Sequence, residues 1–167
     1  MINEDKNKNV NFLILLISSS FLLRLVALYY FRDSYVDSTL LSSEVNEWNI
    51  LLQNLIKYKS YSFYSFNGQL IPSVYMPPIY PVFLYLIKIL TFSDGIQFLY
   101  ITFFVQILVS TFSVYIFYQI NEYFFSNKIS LINSFIFSFF PLNIYAVTQT
   151  SSITLQIILS LLFLRYF

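Results

Sequence analysis

The chain has 167 residues, of which 57% are hydrophobic and only 10% are charged, with a net charge of +1. Soluble domains carry about 25% charged residues, so this composition indicates a membrane protein, and the small net charge gives no basis for nucleic-acid binding. Cysteine and histidine are both absent, which excludes disulfides and thiol or imidazole catalysis and leaves carboxylates, lysine and tyrosine for acid–base chemistry. No cofactor follows from these residues, and a requirement for a divalent metal stays open.

The first long apolar segment is residues 10–31, which follow a polar segment at residues 1–9. As a helix, residues 10–31 are about 33 Å long, enough to cross a hydrocarbon core of about 30 Å. The segment closes on the aromatic run Tyr29-Tyr30-Phe31 and not on a small-residue cleavage site. We therefore predict an uncleaved transmembrane helix with residues 1–9 as its cytoplasmic tail.

Residues 32–95 are more polar, and we predict that they form a large outer loop. Within this loop, residues 44–57 place apolar side chains at helical spacing, but a helix of that length is only about 21 Å long. Such a segment predicts a helix that lies on the membrane surface. A second interfacial helix is predicted at about residues 79–92, where Lys88 interrupts a short apolar run. A membrane crossing by this second segment is the alternative.

Three apolar segments follow the loop. Residues 96–120 predict a transmembrane helix, residues 129–146 predict another that Pro141 disrupts, and residues 151–167 predict the truncated start of a further one. Together these elements predict an all-α, polytopic helical membrane protein whose large outer loop bears amphipathic juxtamembrane helices.

Basic residues set the predicted orientation, because short cytoplasmic loops are enriched in lysine and arginine. If residues 82–92 do not cross, then Lys6, Lys8, Lys128 and Arg165 lie on one side in short segments. This density predicts a cytoplasmic N-terminus in an inner (plasma) membrane, with the loop outside. If residues 82–92 do cross, Lys128 would lie outside.

Two acidic residues of the loop are candidates for catalysis. Glu44 and Glu47 are one helical turn apart, so both side chains can project from one face. A carboxylate held at the bilayer surface can act as a general base. The alternative is that two glutamates at the start of a helix simply interact favourably with its dipole.

The order of these features resembles the N-terminal part of polytopic glycosyltransferases of the GT-C type, in particular protein mannosyltransferases and aminoarabinose transferases that modify lipid A. Glu44 and Trp48 match the acid and the aromatic residue of the family's first outer loop, and the pair Asn54-Leu55 follows on the same predicted helix. Tyr58-Lys59-Ser60-Tyr61 occupies the position of a Gly-x-Gly-Tyr pattern whose glycines are absent here. The run Pro77-Pro78-Ile79-Tyr80-Pro81 matches the family's proline turn.

The resemblance implies transfer of a sugar from a polyprenyl-phosphate-linked donor to a lipid, glycan or protein acceptor at the outer face of the membrane. It implies that Glu44 activates or orients the acceptor, with Glu47 as a nearby substitute. The further carboxylate that the family places after the proline turn is missing, since no Asp or Glu follows Glu122. The chain would be an N-terminal fragment of such an enzyme. A non-catalytic small membrane subunit or lipid-binding partner protein is the alternative.

The implied partners are the lipid-linked donor, membrane lipids and a possible membrane protein. A lysine or arginine beside the site would hold the lipid phosphate, although solvated lysines are the simpler interpretation. Arg24, inside the first span, is either a buried functional charge or one that extends its guanidinium to the membrane boundary. The substrate-binding candidates are Arg24, Lys57, Lys59, Tyr61 and Tyr80.

Overall fold

The computed structural model describes the backbone of residues 2–36, 47–66, 69–72 and 77–167, and the side chains of residues 9–31, 47–63, 69–72 and 77–167. Its elements, in chain order, are α1 (Ile2–Val36), α2 (Glu47–Tyr58), β1 (Ser62–Phe66), β2 (Gln69–Pro72), α3 (Ile79–Thr91), α4 (Gly95–Phe124), α5 (Asn127–Ser138), α6 (Pro141–Ala146) and α7 (Ile153–Tyr166). The predicted, mainly helical architecture is confirmed over these ranges.

Two of the helical segments, Asn9–Phe31 and Gly95–Phe124, are long and apolar enough to cross a membrane. Their 23 and 30 residues correspond to about 35 and 45 Å of helix, which exceeds a hydrocarbon core of about 30 Å. The first contains the predicted span at residues 10–31, and the second extends beyond the predicted span at residues 96–120 at both ends. The helices α3 and α7 are apolar but shorter.

A two-stranded antiparallel sheet corrects the all-α prediction. Strands β1 and β2 pair so that Phe66 lies opposite Gln69. The physical reason is local, because aromatic residues favour strands and the sequence between the strands is Asn67-Gly68, the dipeptide most typical of two-residue hairpin turns. The predicted outer loop therefore contains a short hairpin between its two helices.

The predicted helix at residues 129–146 is divided in two. Phe140 is extended, with φ −65° and ψ 120°, and α6 begins at the next residue, Pro141. Proline disfavours a helical conformation in the residue before it and suits the first position of a helix. The α5 helix consequently has 12 residues, about 18 Å of length.

Helix α4 is the centre of the bundle and packs against α1, α3, α5 and α7. Near its start, Leu99 and Phe103 pack with Leu28 of α1. Towards its other end, Ile116 packs with Ile158 and Leu161 of α7. The C-terminal part of α1 thus lies beside the N-terminal part of α4, so the two longest apolar helices run antiparallel.

Candidate functional site

The two helices of the predicted outer loop, α2 and α3, pack together against the first turns of α4. Leu52, Leu84 and Phe98, one from each helix, are buried in a common apolar cluster. Helix α2 buries Leu51 and Leu52 and exposes Gln53, as expected of an amphipathic helix with one apolar stripe. We call the part of the molecule formed by α2, the hairpin and α3 the α2–α3 unit.

Trp48 and Tyr80 form the central contact of this unit. Their rings contact edge-to-face, with centroids 4.9 Å apart and planes at 75°. The ring of Phe83 stacks on the ring of Tyr80. The Tyr80 side chain is 0% exposed, and this burial raises the pKa of its phenol. Its hydroxyl has no hydrogen-bond partner among the described residues. Tyr80 is therefore part of the packing, and its substrate-binding role stays a prediction.

The acidic candidates lie at the start of α2. Glu47 is the first residue of that helix and its side chain is exposed, next to the half-buried Trp48. Glu44 lies outside the described residues. Lys57 is exposed in the last turn of α2, ten residues from Glu47, or about 15 Å along the helix. The structure does not bring these two charges together.

Lys59 and Tyr61 follow the end of α2. Lys59 adopts a left-handed conformation with φ 53°, which commonly ends a helix. Its ammonium group donates a hydrogen bond to the Tyr85 hydroxyl of α3 at 3.3 Å. Partial burial raises the pKa of Tyr61. Beside it, the Asn54 side-chain amide donates to the Ser62 carbonyl at 2.9 Å, so Asn54 joins α2 to the first strand of the hairpin.

Arg24 is buried inside the bundle, with 0% of its surface exposed. Its Nε donates to Ser110 Oγ of α4 at 2.9 Å, and its Nη1 donates to the Ser138 carbonyl of α5 at 3.3 Å. The same Nη1 donates to both the carbonyl and the hydroxyl of Ser20. The guanidinium thus points between helices and is enclosed by α1, α4 and α5. No carboxylate in the described part of the chain pairs with it.

Sequence reasoning missed the partners of Arg24. Ser20 is one helical turn earlier, which is a readable spacing, but Ser110 and Ser138 are 86 and 114 residues away. The sequence does show a four-residue spacing of serines at Ser130, Ser134 and Ser138, which could have indicated a helix-packing face. All three are fully buried in α5. Small side chains at that spacing allow close approach of helices in a membrane.

The guanidinium of Arg24 and the α2–α3 unit lie at different positions along α4. A small cavity beside the unit is lined by Trp48, Thr102 and Thr150 among others. Ser110, which binds Arg24, is eight residues beyond Thr102 on α4, or about 12 Å of helix. The structure therefore does not bring Arg24 together with Glu47, Lys57 or the other predicted substrate-binding residues.

No family model, curated protein or solved structure matches the chain. Among the residues that the structure describes, no group of three or more acidic, histidine or cysteine side chains could hold a metal ion. The arrangement places the exposed carboxylate of Glu47 at the start of α2, and a second exposed carboxylate, that of Asp94, pairs with Lys88 of α3. It also provides a separate, fully buried guanidinium that joins three helices.

Proposed function

We propose that the chain is a polytopic membrane protein and the N-terminal part of a GT-C type glycosyltransferase. The proposed reaction moves a sugar from a polyprenyl-phosphate-linked donor to a lipid, glycan or protein acceptor at the outer face of the plasma membrane. The supporting observation is the ring contact between Trp48 and Tyr80. It joins the acidic start of α2 to the proline turn before α3, which are two of the segments on which the resemblance rests.

The position of the α2–α3 unit suits this reaction. The unit packs on the first turns of α4, beside the end of α1 that carries Leu28. If α1 and α4 cross the bilayer, Glu47 lies near one membrane surface with its carboxylate exposed to water. A polyprenyl donor would remain in the bilayer while its sugar and phosphate reach the same surface.

The proposed chemistry is a displacement at the anomeric carbon. Glu44 or Glu47 accepts the proton of the acceptor hydroxyl as the acceptor oxygen bonds to that carbon. The bond from the carbon to the phosphate oxygen breaks, and polyprenyl phosphate leaves with the electron pair. Lys57 lies about 15 Å from Glu47 along α2, so a cation other than Lys57 would have to hold the departing phosphate.

The test uses the full-length protein in proteoliposomes with a radiolabelled sugar on polyprenyl phosphate. We expect Glu44→Gln or Glu47→Gln to lower the transfer rate at least about 100-fold, the usual contribution of a general base. Gln53→Ala, at an exposed position of the same helix, should transfer at the wild-type rate. Wild-type rates in both glutamate variants and in their double variant would exclude the proposed role.

A non-catalytic membrane subunit is the second candidate, and the surface of α1 favours it. Leu15, Leu22 and Val26 are 65%, 60% and 62% exposed along that helix, so they would contact either lipid or another protein helix. In detergent, a stoichiometric partner that dissociates from Leu22→Trp but not from Leu159→Trp on α7 would support this function. A monomer of unchanged mass in both variants would argue against it.

A further inference from the structure

An open groove lies between the first turns of α5 and the start of the apolar segment of α1. Its volume is about 510 Å³, within the range of about 300–1,000 Å³ that is typical of ligand sites. Among the described residues, those that line it are Asn9, Phe12, Lys128, Leu131, Ile132 and Phe135. None of them belongs to the α2–α3 unit or to the surroundings of Arg24.

The groove changes from polar to apolar along its length. Asn9 and Lys128 lie at one end, Asn9 at the start of the apolar segment of α1 and Lys128 in the first turn of α5. Phe12 is one turn further along α1, and Phe135 is seven residues beyond Lys128 on α5, about 10 Å deeper. Phe12, Ile132 and Phe135 are 46%, 59% and 48% exposed. An occupant must therefore be polar at one end and apolar over the rest.

Among the described residues, the polar end of the groove also carries a positive charge. Lys128 is exposed and forms no ion pair with any described residue. The acidic residue that precedes it, Glu122, accepts a hydrogen bond from the Tyr118 hydroxyl at 2.6 Å. In addition, the side chain of Ser126 does not cap α5, so the first-turn N–H groups of this 12-residue helix add partial positive charge.

We propose that this groove binds an anionic glycerophospholipid of the membrane leaflet on the side of the N-terminus. The phosphate contacts the Lys128 ammonium and the start of α5, and one acyl chain lies along Phe12, Ile132 and Phe135. The charge complementarity at Lys128 selects an anionic headgroup, and the apolar length selects a lipid over a soluble phosphate. The proposal requires that α1 is in a membrane but is independent of sugar transfer.

Native mass spectrometry of the protein released from proteoliposomes tests the proposal. The vesicles contain equal amounts of phosphatidylglycerol and phosphatidylcholine, and no sugar donor is present. We expect one retained phosphatidylglycerol per chain in preference to phosphatidylcholine. Lys128→Gln should lower that preference about fivefold, the factor typical of one basic residue near an anionic membrane surface. Arg165→Gln, which removes a cation outside the groove, should leave the preference unchanged.

A second variant tests the apolar part of the groove. Ile132→Trp fills the groove while keeping Lys128, so it should remove the retained lipid altogether, whereas Phe163→Trp on the exposed surface of α7 should not. Equal retention of both lipids by the wild-type protein, or equal effects of Lys128→Gln and Arg165→Gln, would overturn the proposal. Displacement of the lipid by inorganic phosphate alone would also overturn it, because the occupant would then be a soluble anion. A wild-type dimer that Ile132→Trp dissociates would overturn it too, because the occupant would then be a second copy of the chain.

Discussion

The indole of Trp48 contacts the buried ring of Tyr80 edge-to-face, with 4.9 Å between the ring centroids. Trp48 belongs to the first turn of α2, and Tyr80 belongs to the first turn of α3. The contact therefore joins two helices that are separated in sequence by the hairpin. It fixes the acidic start of α2 over the proline turn that precedes α3.

A double-mutant cycle measures this contact. Aromatic pairs of this geometry contribute about 0.5–1.5 kcal/mol beyond the area that they bury. We expect Trp48→Leu and Tyr80→Leu to show a coupling free energy of that size when the unfolding of the protein is followed in detergent micelles. Trp48→Leu combined with Phe163→Leu, on the exposed surface of α7, should be additive. A coupling of zero for the first pair would contradict the observed contact.

The phenol of Tyr80 makes stability depend on pH in the alkaline range. Burial raises the pKa of Tyr80 in the folded state, whereas the pKa of an unfolded tyrosine is about 10. Below pH 10 the phenol is protonated in both states, so it adds no pH dependence. Above pH 10 the unfolded state loses the proton first, and the free energy of unfolding falls as pH rises.

Tyr80→Phe should therefore weaken the loss of stability between pH 10 and pH 11, as measured by thermal unfolding in micelles. At pH 7 the same variant should be as stable as the wild type or slightly more stable, since the Tyr80 hydroxyl has no hydrogen-bond partner among the described residues. The control Tyr58→Phe, at a position that is 62% exposed, should follow the wild-type curve. A Tyr80→Phe curve that matches the wild type above pH 10 would refute this account of the phenol.

We expect the hydrogen bonds of Arg24 between helices to stabilise the fold. Lysine has a single ammonium group and cannot reproduce the separate Nε and Nη1 bonds to Ser110 and Ser138. Arg24→Lys should lower the free energy of unfolding by about 1–3 kcal/mol, the usual cost of unsatisfied buried polar groups. Arg165→Lys, near the end of α7, should change it by less than about 0.5 kcal/mol. Equal stability of the two variants would show that the Arg24 bonds contribute nothing.

Two serines of α4 provide a matched test of the same network. The Ser110 hydroxyl accepts the Arg24 Nε bond from α1, whereas the Ser113 hydroxyl donates to the Val109 carbonyl of its own helix. Ser110→Ala should lower the unfolding free energy by about 1–2 kcal/mol, because it leaves a buried donor without a partner. Ser113→Ala should be nearly neutral. Equal losses of unfolding free energy in the two variants would mean that the bond between Arg24 and Ser110 does not stabilise the protein more than a bond within one helix.

The sequence predicts the elements of the fold better than it predicts their contacts. Long apolar runs were sufficient to locate α1 and α4, and the apolar spacing of residues 44–57 located α2. The break at Pro141 was also readable, although the helix was predicted to continue to residue 146. The hairpin was missed although its local signal was present, since aromatic residues precede the turn dipeptide Asn67-Gly68.

The surroundings of the candidate residues could not be predicted, because they depend on which helices are neighbours. Nothing local indicates that Arg24 contacts α4 and α5, so its burial required the tertiary structure. In the same way, the sequence placed Tyr80 in a proline turn but did not indicate that the packing of α2 on α3 encloses its side chain. Of the two catalytic candidates, Glu47 is the one that the structure describes, and its carboxylate is exposed.

The most direct test of the central claim is the sidedness of the chain in the membrane. The sequence has no cysteine, so Lys57→Cys and Lys128→Cys each introduce a single thiol at an exposed position. An impermeant maleimide applied to intact cells should label the Lys57→Cys variant at once and the Lys128→Cys variant only after permeabilisation. Labelling of both variants from the same side would contradict a membrane-spanning α4 with the α2–α3 unit outside.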